Sequence, residues 1–198
     1  MIKDISQLDL SKRYTYADYL TWQFDERVEL IRGKVFRMAP APGVSHQSSS
    51  GELHRQISNY LLDRPCRAFA APFDVRLPLL PNHQQGEKVT TVVQPDISVV
   101  CDPSLLDERG CQGPPDWIIE ILSKATAHKD LHDKFEIYQH AGVREYWIVH
   151  PDEGTVLPYR RDEEGRFQLL RQTPFATGEK VTVGIFTGLE IDLTLVFR

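Results

Sequence analysis

The run Trp117-Ile118-Ile119-Glu120-Ile121-Leu122 constrains this chain more than any other stretch. Bounded by Pro-Pro-Asp before it and Ser-Lys after it, the run reads as a strand buried on both faces. Ile118, Glu120 and Leu122 share one face, and Trp117, Ile119 and Ile121 share the other, so no solvent side is evident. A carboxylate taken out of water costs several kcal/mol unless something compensates it. Glu120 therefore demands a partner, either an arginine or lysine in a structural ion pair or a metal ion.

The segments around this strand give an α/β, mixed-sheet (α+β) reading. Residues 14 to 24 carry Tyr16, Tyr19, Leu20 and Trp22 near helical spacing, with Thr15 as N-cap. "RVELIRGKVFRM" reads as a hairpin turning at Arg32-Gly33. A helix is expected from Ser45 to Leu62, with Leu53, Ile57, Tyr60 and Leu61 as its apolar stripe. "AAPFDVRLPLL" and "VVQPDISVV" read as strands, followed by a long loop over 101–115. After the 117–122 strand come a helix from about His128 to Ala141 and the strand "EYWIVHP". The tail alternates turn signals with β-rich pieces ending in "GLEIDLTLVF". With 198 residues and neither repeat nor linker, the chain reads as a single domain, 1–198, with a core over about 14–160 and a β extension over about 152–198.

Cys66, Cys101 and Cys111 are odd in number and share no CxxC spacing, which predicts free thiols in a reducing cytoplasm rather than a disulfide framework or a zinc site. No run approaches the roughly 18 apolar residues of a membrane span. The net charge of -5 gives no general attraction to nucleic acid, so any such role rests on a local patch.

Several other residues are candidates for chemistry. In "VVQPDISVV", Asp96 points away from the apolar face of Val93, Pro95, Ile97 and Val99, and Pro95 suits a strand edge or interruption. The bland reading of Asp96 is a strand-end aspartate. On the 128–141 helix, Leu131, Phe135 and Tyr138 form an apolar stripe, and Lys134 lies on its flank with its ammonium free to snorkel. Asp130 is placed to hold that lysine four residues on, although the pair could equally be a solvated one. Glu29 is one of several acidic residues in its hairpin. His46 opens its helix, where a surface or capping role is the ordinary one.

Together, "ELIRGKV", "SHQ", "QPDISVV", "IIEILSKAT" and "KDLHDKFEIYQHAGVREYWIVHP" resemble the Uma-type branch of the restriction-endonuclease-like proteins, in the PD-(D/E)XK nuclease superfamily. The resemblance covers roughly residues 14 to 160. It implies an αβββαβ core, here with added C-terminal β-hairpins, and a metal-dependent endonuclease that hydrolyses DNA phosphodiester bonds. It further implies that Glu29, Asp96, Glu120, Lys134 and His46 form the catalytic set. Asp96, Glu120, Glu29 and the Ile121 carbonyl would be ligands to Mg²⁺ or Mn²⁺. The superfamily's usual lysine position, two residues after the glutamate, is Leu122 here, so Lys134 on the next helix takes that role, with Lys124 as its rival. DNA is the implied partner, and by analogy the fold pairs into a homodimer. Two other readings stay open: a nuclease-fold DNA- or protein-binding module that no longer cuts, and a metal-free Glu120–Lys134 ion pair.

Overall fold

A computed structural model describes residues 2–38, 41–77, 89–123 and 129–198, with the side chains of 129–131 left out. Thr15 caps the short α1 (Tyr16–Tyr19) through a reciprocal capping box with Asp18. The strands β1 (Val28–Ile31) and β2 (Lys34–Arg37) form the expected hairpin. Arg32 and Gly33 between them both have positive φ, 50° and 79°, as a turn matching the strand twist requires. α2 (Val44–Leu61) buries Leu53, Ile57 and Leu61.

β3 (Arg67–Ala70) follows, a strand the sequence reading did not contain, and then the two-residue β4 (Val75–Arg76). The expected single strand over 92–100 is two strands in different sheets, β5 (Val92–Val93) and β6 (Ile97–Val100). Pro95 lies in the break, where it withholds no ladder donor. The long loop contains β7 (Leu106–Asp107) and β8 (Gly110–Gln112). Next come β9 (Trp117–Ile121), α3 (Lys129–Ala141) and β10 (Glu145–His150). The tail contributes β11 (Thr155–Arg161), β12 (Phe167–Leu169), β13 (Phe175–Ala176), β14 (Lys180–Thr182) and β15 (Glu190–Asp192). It closes on a short helix, α4 (Leu193–Val196), where a strand was expected; Asp192 caps it.

Among the described residues, one sheet runs β2-β1-β5-β4-β8-β7 and another β12-β11-β10-β9-β6-β3, with β13 beside β11. In the second sheet, β3, β6 and β9 pair antiparallel, and α3 carries the chain across to β10, parallel to β9. With α2 in front, this is the restriction-endonuclease-like αβββαβ core.

Every residue of β9 is buried, so the strand has no solvent side. Trp117, Ile119 and Ile121 pack with Leu53, Ile57 and Leu61 of α2 and with Val181, Phe186 and Leu193 of the tail. Ile118 and Leu122 pack with Ile31, Val75, Ile137, Tyr138 and Tyr146, toward the other sheet and α3. Glu120 lies on this second face, beneath α3 and the β1–β2 hairpin.

The cysteine expectation is corrected: Cys66 and Cys101 form a disulfide, and Cys111 is free and buried. β3 and β6 pair Arg67 with Val100, so the next positions outward bring the two cysteines together. Their separation of 35 residues in sequence concealed that neighbourhood. Among the described residues, no helix is long and apolar enough to cross a membrane.

Candidate active site

Asp96 stands at the seam where the chain leaves β5 for β6. The pairing of Ile97 with Ile119, continued outward by one residue, sets Asp96 opposite Glu120. The Ile121 N–H donates to Asp96 Oδ2 at 2.7 Å, fixing the aspartate to β9 one residue beyond Glu120. His46, in the first turn of α2, places Nε2 3.3 Å from Asp96 Oδ1. That hydrogen bond raises the imidazole pKa; burial opposes it, and the Asp96 charge adds to it. The other ring nitrogen, Nδ1, is buried with no partner among the described residues.

Behind Asp96 lies a buried ion cluster. Lys134 Nζ is 2.9 Å from Glu29 Oε1 and 3.0 Å from Glu120 Oε1, and all three side chains are at most 10 % exposed. The lysine stem follows the apolar flank of α3, as its helical position predicts, and its ammonium ends on these carboxylates. The Gln94 N–H donates to Glu29 Oε1 at 2.9 Å, and the Tyr138 hydroxyl to Glu120 Oε1 at 2.7 Å. Farther out, Gln94 Nε2 donates to Asp74 Oδ1 at 2.8 Å.

Burial pushes the Glu120 carboxyl up to about 7; the Lys134 charge opposes the rise, and the Asp96 and Glu29 charges reinforce it. Burial alone would lower the Lys134 ammonium, but Glu120 and Glu29 outweigh it and hold its pKa above the ordinary lysine value. The two carboxylates therefore favour the charged form of Lys134. Glu29 and Glu120 share this single ammonium, Asp96 faces His46, and the pKa values of both His46 and Glu120 are raised.

The structure thus brings together Glu29, Asp96, Glu120, Lys134 and His46. Lys124 and the Asp130 side chain, the expected rival and the expected orienting partner, lie outside the described residues. Glu29 enters as a counterion of Lys134. Among the described residues, no three His, Cys, Asp or Glu side chains gather closely enough to hold a metal ion. Asp96, Glu120 and the Ile121 carbonyl are all hard oxygen donors. Such a set suits a divalent cation that keeps waters and shares its shell with a phosphate, not a closed protein cage.

The arginines of the hairpin and of α2 carry acidic partners: Arg32 pairs with Glu136, Arg37 with Glu26 and Arg55 with Glu52. Two contributors escaped the sequence reading. Gln94 acts through its main chain, which its identity does not signal. Tyr138 was counted as an apolar stripe residue. Its position four residues after Lys134, on one helix face, was the available clue.

The Uma2 family model, described as "Putative restriction endonuclease", matches residues 16–194. The uncharacterized protein slr1290 of Synechocystis is 22% identical over 179 residues, covering 88% of each chain. The crystal structure of "a putative nuclease belonging to DUF820" from Anabaena variabilis superposes with a TM-score of 0.67 at 23% identity, covering 92% of this chain and 97% of the other. That likeness speaks to the fold. The matched span contains every residue of the site just described, and the chain belongs to the Uma2 family.

Proposed function

We propose that this protein is a metal-dependent deoxyribonuclease. The carrying observation is a crowding of carboxylates: buried Glu29 and Glu120 share the one ammonium of Lys134, and the half-buried Asp96, paired with His46, adds its charge to theirs. A solvent-poor site with excess carboxylate favours a divalent cation. The family description and the restriction-endonuclease-like core support the same reading.

Asp96 and Glu120, with the Ile121 carbonyl, would hold Mg²⁺ or Mn²⁺, which when bound supplies a more acidic water and neutralises phosphate charge. Lys134, paired with both Glu29 and Glu120, is held in its charged form and serves as an electrostatic group. It stabilises the negative charge that develops on the phosphate in the transition state. Glu29 keeps the ammonium in place. His46, paired with Asp96, is positioned to contact a phosphate or relay a proton. Arg32 and Lys34 on the hairpin would meet backbone phosphates.

The purified protein should nick plasmid DNA with Mn²⁺ or Mg²⁺, and Asp96→Ala or Glu120→Ala should lower the rate by at least about 10²-fold while leaving the circular dichroism spectrum intact. Undiminished cleavage by both variants overturns the assignment. A second reading, a DNA-binding module of the same fold that no longer cuts, draws on the engagement of Glu29 and Glu120 by Lys134. It requires DNA binding that metal does not alter.

A further inference from the structure

We propose that Tyr138 is a positioning residue of this site, fixing which oxygen of Glu120 is available to a cation beside Asp96. The proposal rests on the nuclease reading above and deepens it. Lys134 and Tyr138 stand one helical turn apart on α3, and their donors converge on the same atom, Glu120 Oε1, at 3.0 and 2.7 Å. A carboxylate oxygen offers two lone pairs, so two donors fill it. Among the described residues, no donor is paired with the other oxygen, Oε2. The carboxylate is thus divided into a held oxygen and an open one.

Lys134 alone does not enforce this division, because its ammonium is shared with Glu29 at 2.9 Å. Tyr138 bonds to Glu120 alone. Its side chain is fully buried, so water is no competing acceptor. The ring packs edge-on against Tyr146 with centroids 5.2 Å apart, and the Tyr138 carbonyl accepts N–H bonds from Gly142 and Val143, which fixes the end of α3. A hydrogen-bonding partner of this kind around a ligating carboxylate sets its orientation, and losing one typically costs 10–100-fold in metal affinity.

The test reads Mn²⁺ affinity by electron paramagnetic resonance, without DNA, for the wild-type chain and for Tyr138→Phe. Replacement of Tyr138 by 4-fluorophenylalanine provides a second donor-free variant that fills the vacated volume if phenylalanine unfolds the chain. Replacement by 4-aminophenylalanine restores a donor. The donor-free variants should bind Mn²⁺ about 10-fold more weakly with KM for DNA unchanged, and the amino variant should recover most of the loss. Wild-type affinity in a folded donor-free variant overturns the role of Tyr138 and leaves the nuclease reading standing. No Mn²⁺ binding and no cleavage by the wild type overturns both.

Discussion

Two buried glutamates on adjacent strands, Glu120 of β9 and Glu145 of β10, meet the same desolvation cost in different ways. Burial raises the pKa of both. Glu145 is 2 % exposed, and its oxygens accept from Trp147 Nε1 at 2.8 Å and from the Ile185 N–H at 3.0 Å. Arg160, opposite it on β11, adds only a minor charge effect. Glu145 thus anchors the tail onto the core with neutral donors. Glu120 instead has a buried cation, a phenol, and two carboxylates whose charges oppose its own ionisation. A buried carboxylate is therefore no sign of function by itself. The sign is a second carboxylate set against it, because that arrangement lowers stability unless a cation is to come.

The largest effect should follow from removing the shared cation. Lys134→Met strands Glu29 and Glu120, and urea unfolding at about pH 8 should show a loss of about 3–5 kcal/mol, since breaking a buried pair leaves uncompensated charge. Part of that loss should return on adding Mn²⁺. Arg160→Met, on the Glu145 side, should stay within about 1 kcal/mol because Arg160 is exposed. Equal costs for the two substitutions would erase the contrast.

Neutralising each glutamate separates the roles more finely. Glu120→Gln should lower cleavage by at least about 10²-fold with only a small change in stability. Glu145→Gln should cost about 1–3 kcal/mol, because its new amide faces an N–H that needs an acceptor, while cleavage per folded molecule stays unchanged. Activity assays paired with denaturation curves check both. Loss of cleavage in the Glu145 variant would make the two residues equivalent.

This contrast also shows what was legible in the sequence. Glu120 stood out because its run has no polar face, and the order of Asp96, Glu120 and Lys134 carried the family pattern. The buried strand, the Arg32-Gly33 turn and the helix carrying His46 followed from local chemistry alone. Glu145 sits in an equally apolar stretch, but its partners lie at Trp147 and in a tail loop 40 residues away. The division of 92–100 between two sheets and the Cys66–Cys101 pairing depend likewise on strand partners, which period and composition do not encode. Tyr138 was misread because a buried phenol and a buried phenylalanine give the same helical stripe.

Protonation provides a further test. The Glu120 carboxyl rises from 4.5 to about 7 in the folded chain, so the native state takes up this proton more readily than the unfolded state. Its contribution to stability is then fully present below about pH 4.5 and is lost as pH rises through about 7. Under the proposed function, cation binding should strengthen over the same interval. In urea unfolding of metal-free protein, the decline in stability between about pH 5 and pH 8 should be shallower in Glu120→Gln than in wild type. Parallel profiles would mean that the neighbouring charges, not Glu120, take the proton.

The smallest effect is expected where the site meets solvent. Arg32, at the tip of the hairpin that carries Glu29, pairs with Glu136 of α3 at 3.1 Å, with side chains 44 and 39 % exposed. An exposed pair of this kind contributes at most about 1 kcal/mol, so Arg32→Ala should barely move the unfolding midpoint. If the hairpin faces DNA as proposed, the same substitution removes one phosphate contact, and the slope of log affinity against log salt should become shallower by about 1. Arg160→Ala, at another exposed arginine on the Glu145 side, should leave that slope unchanged. Fluorescence anisotropy with a labelled duplex at several salt concentrations reads both. Identical slopes for wild type and Arg32→Ala would reduce Arg32 to a partner of Glu136 and move the DNA path off this face of the hairpin.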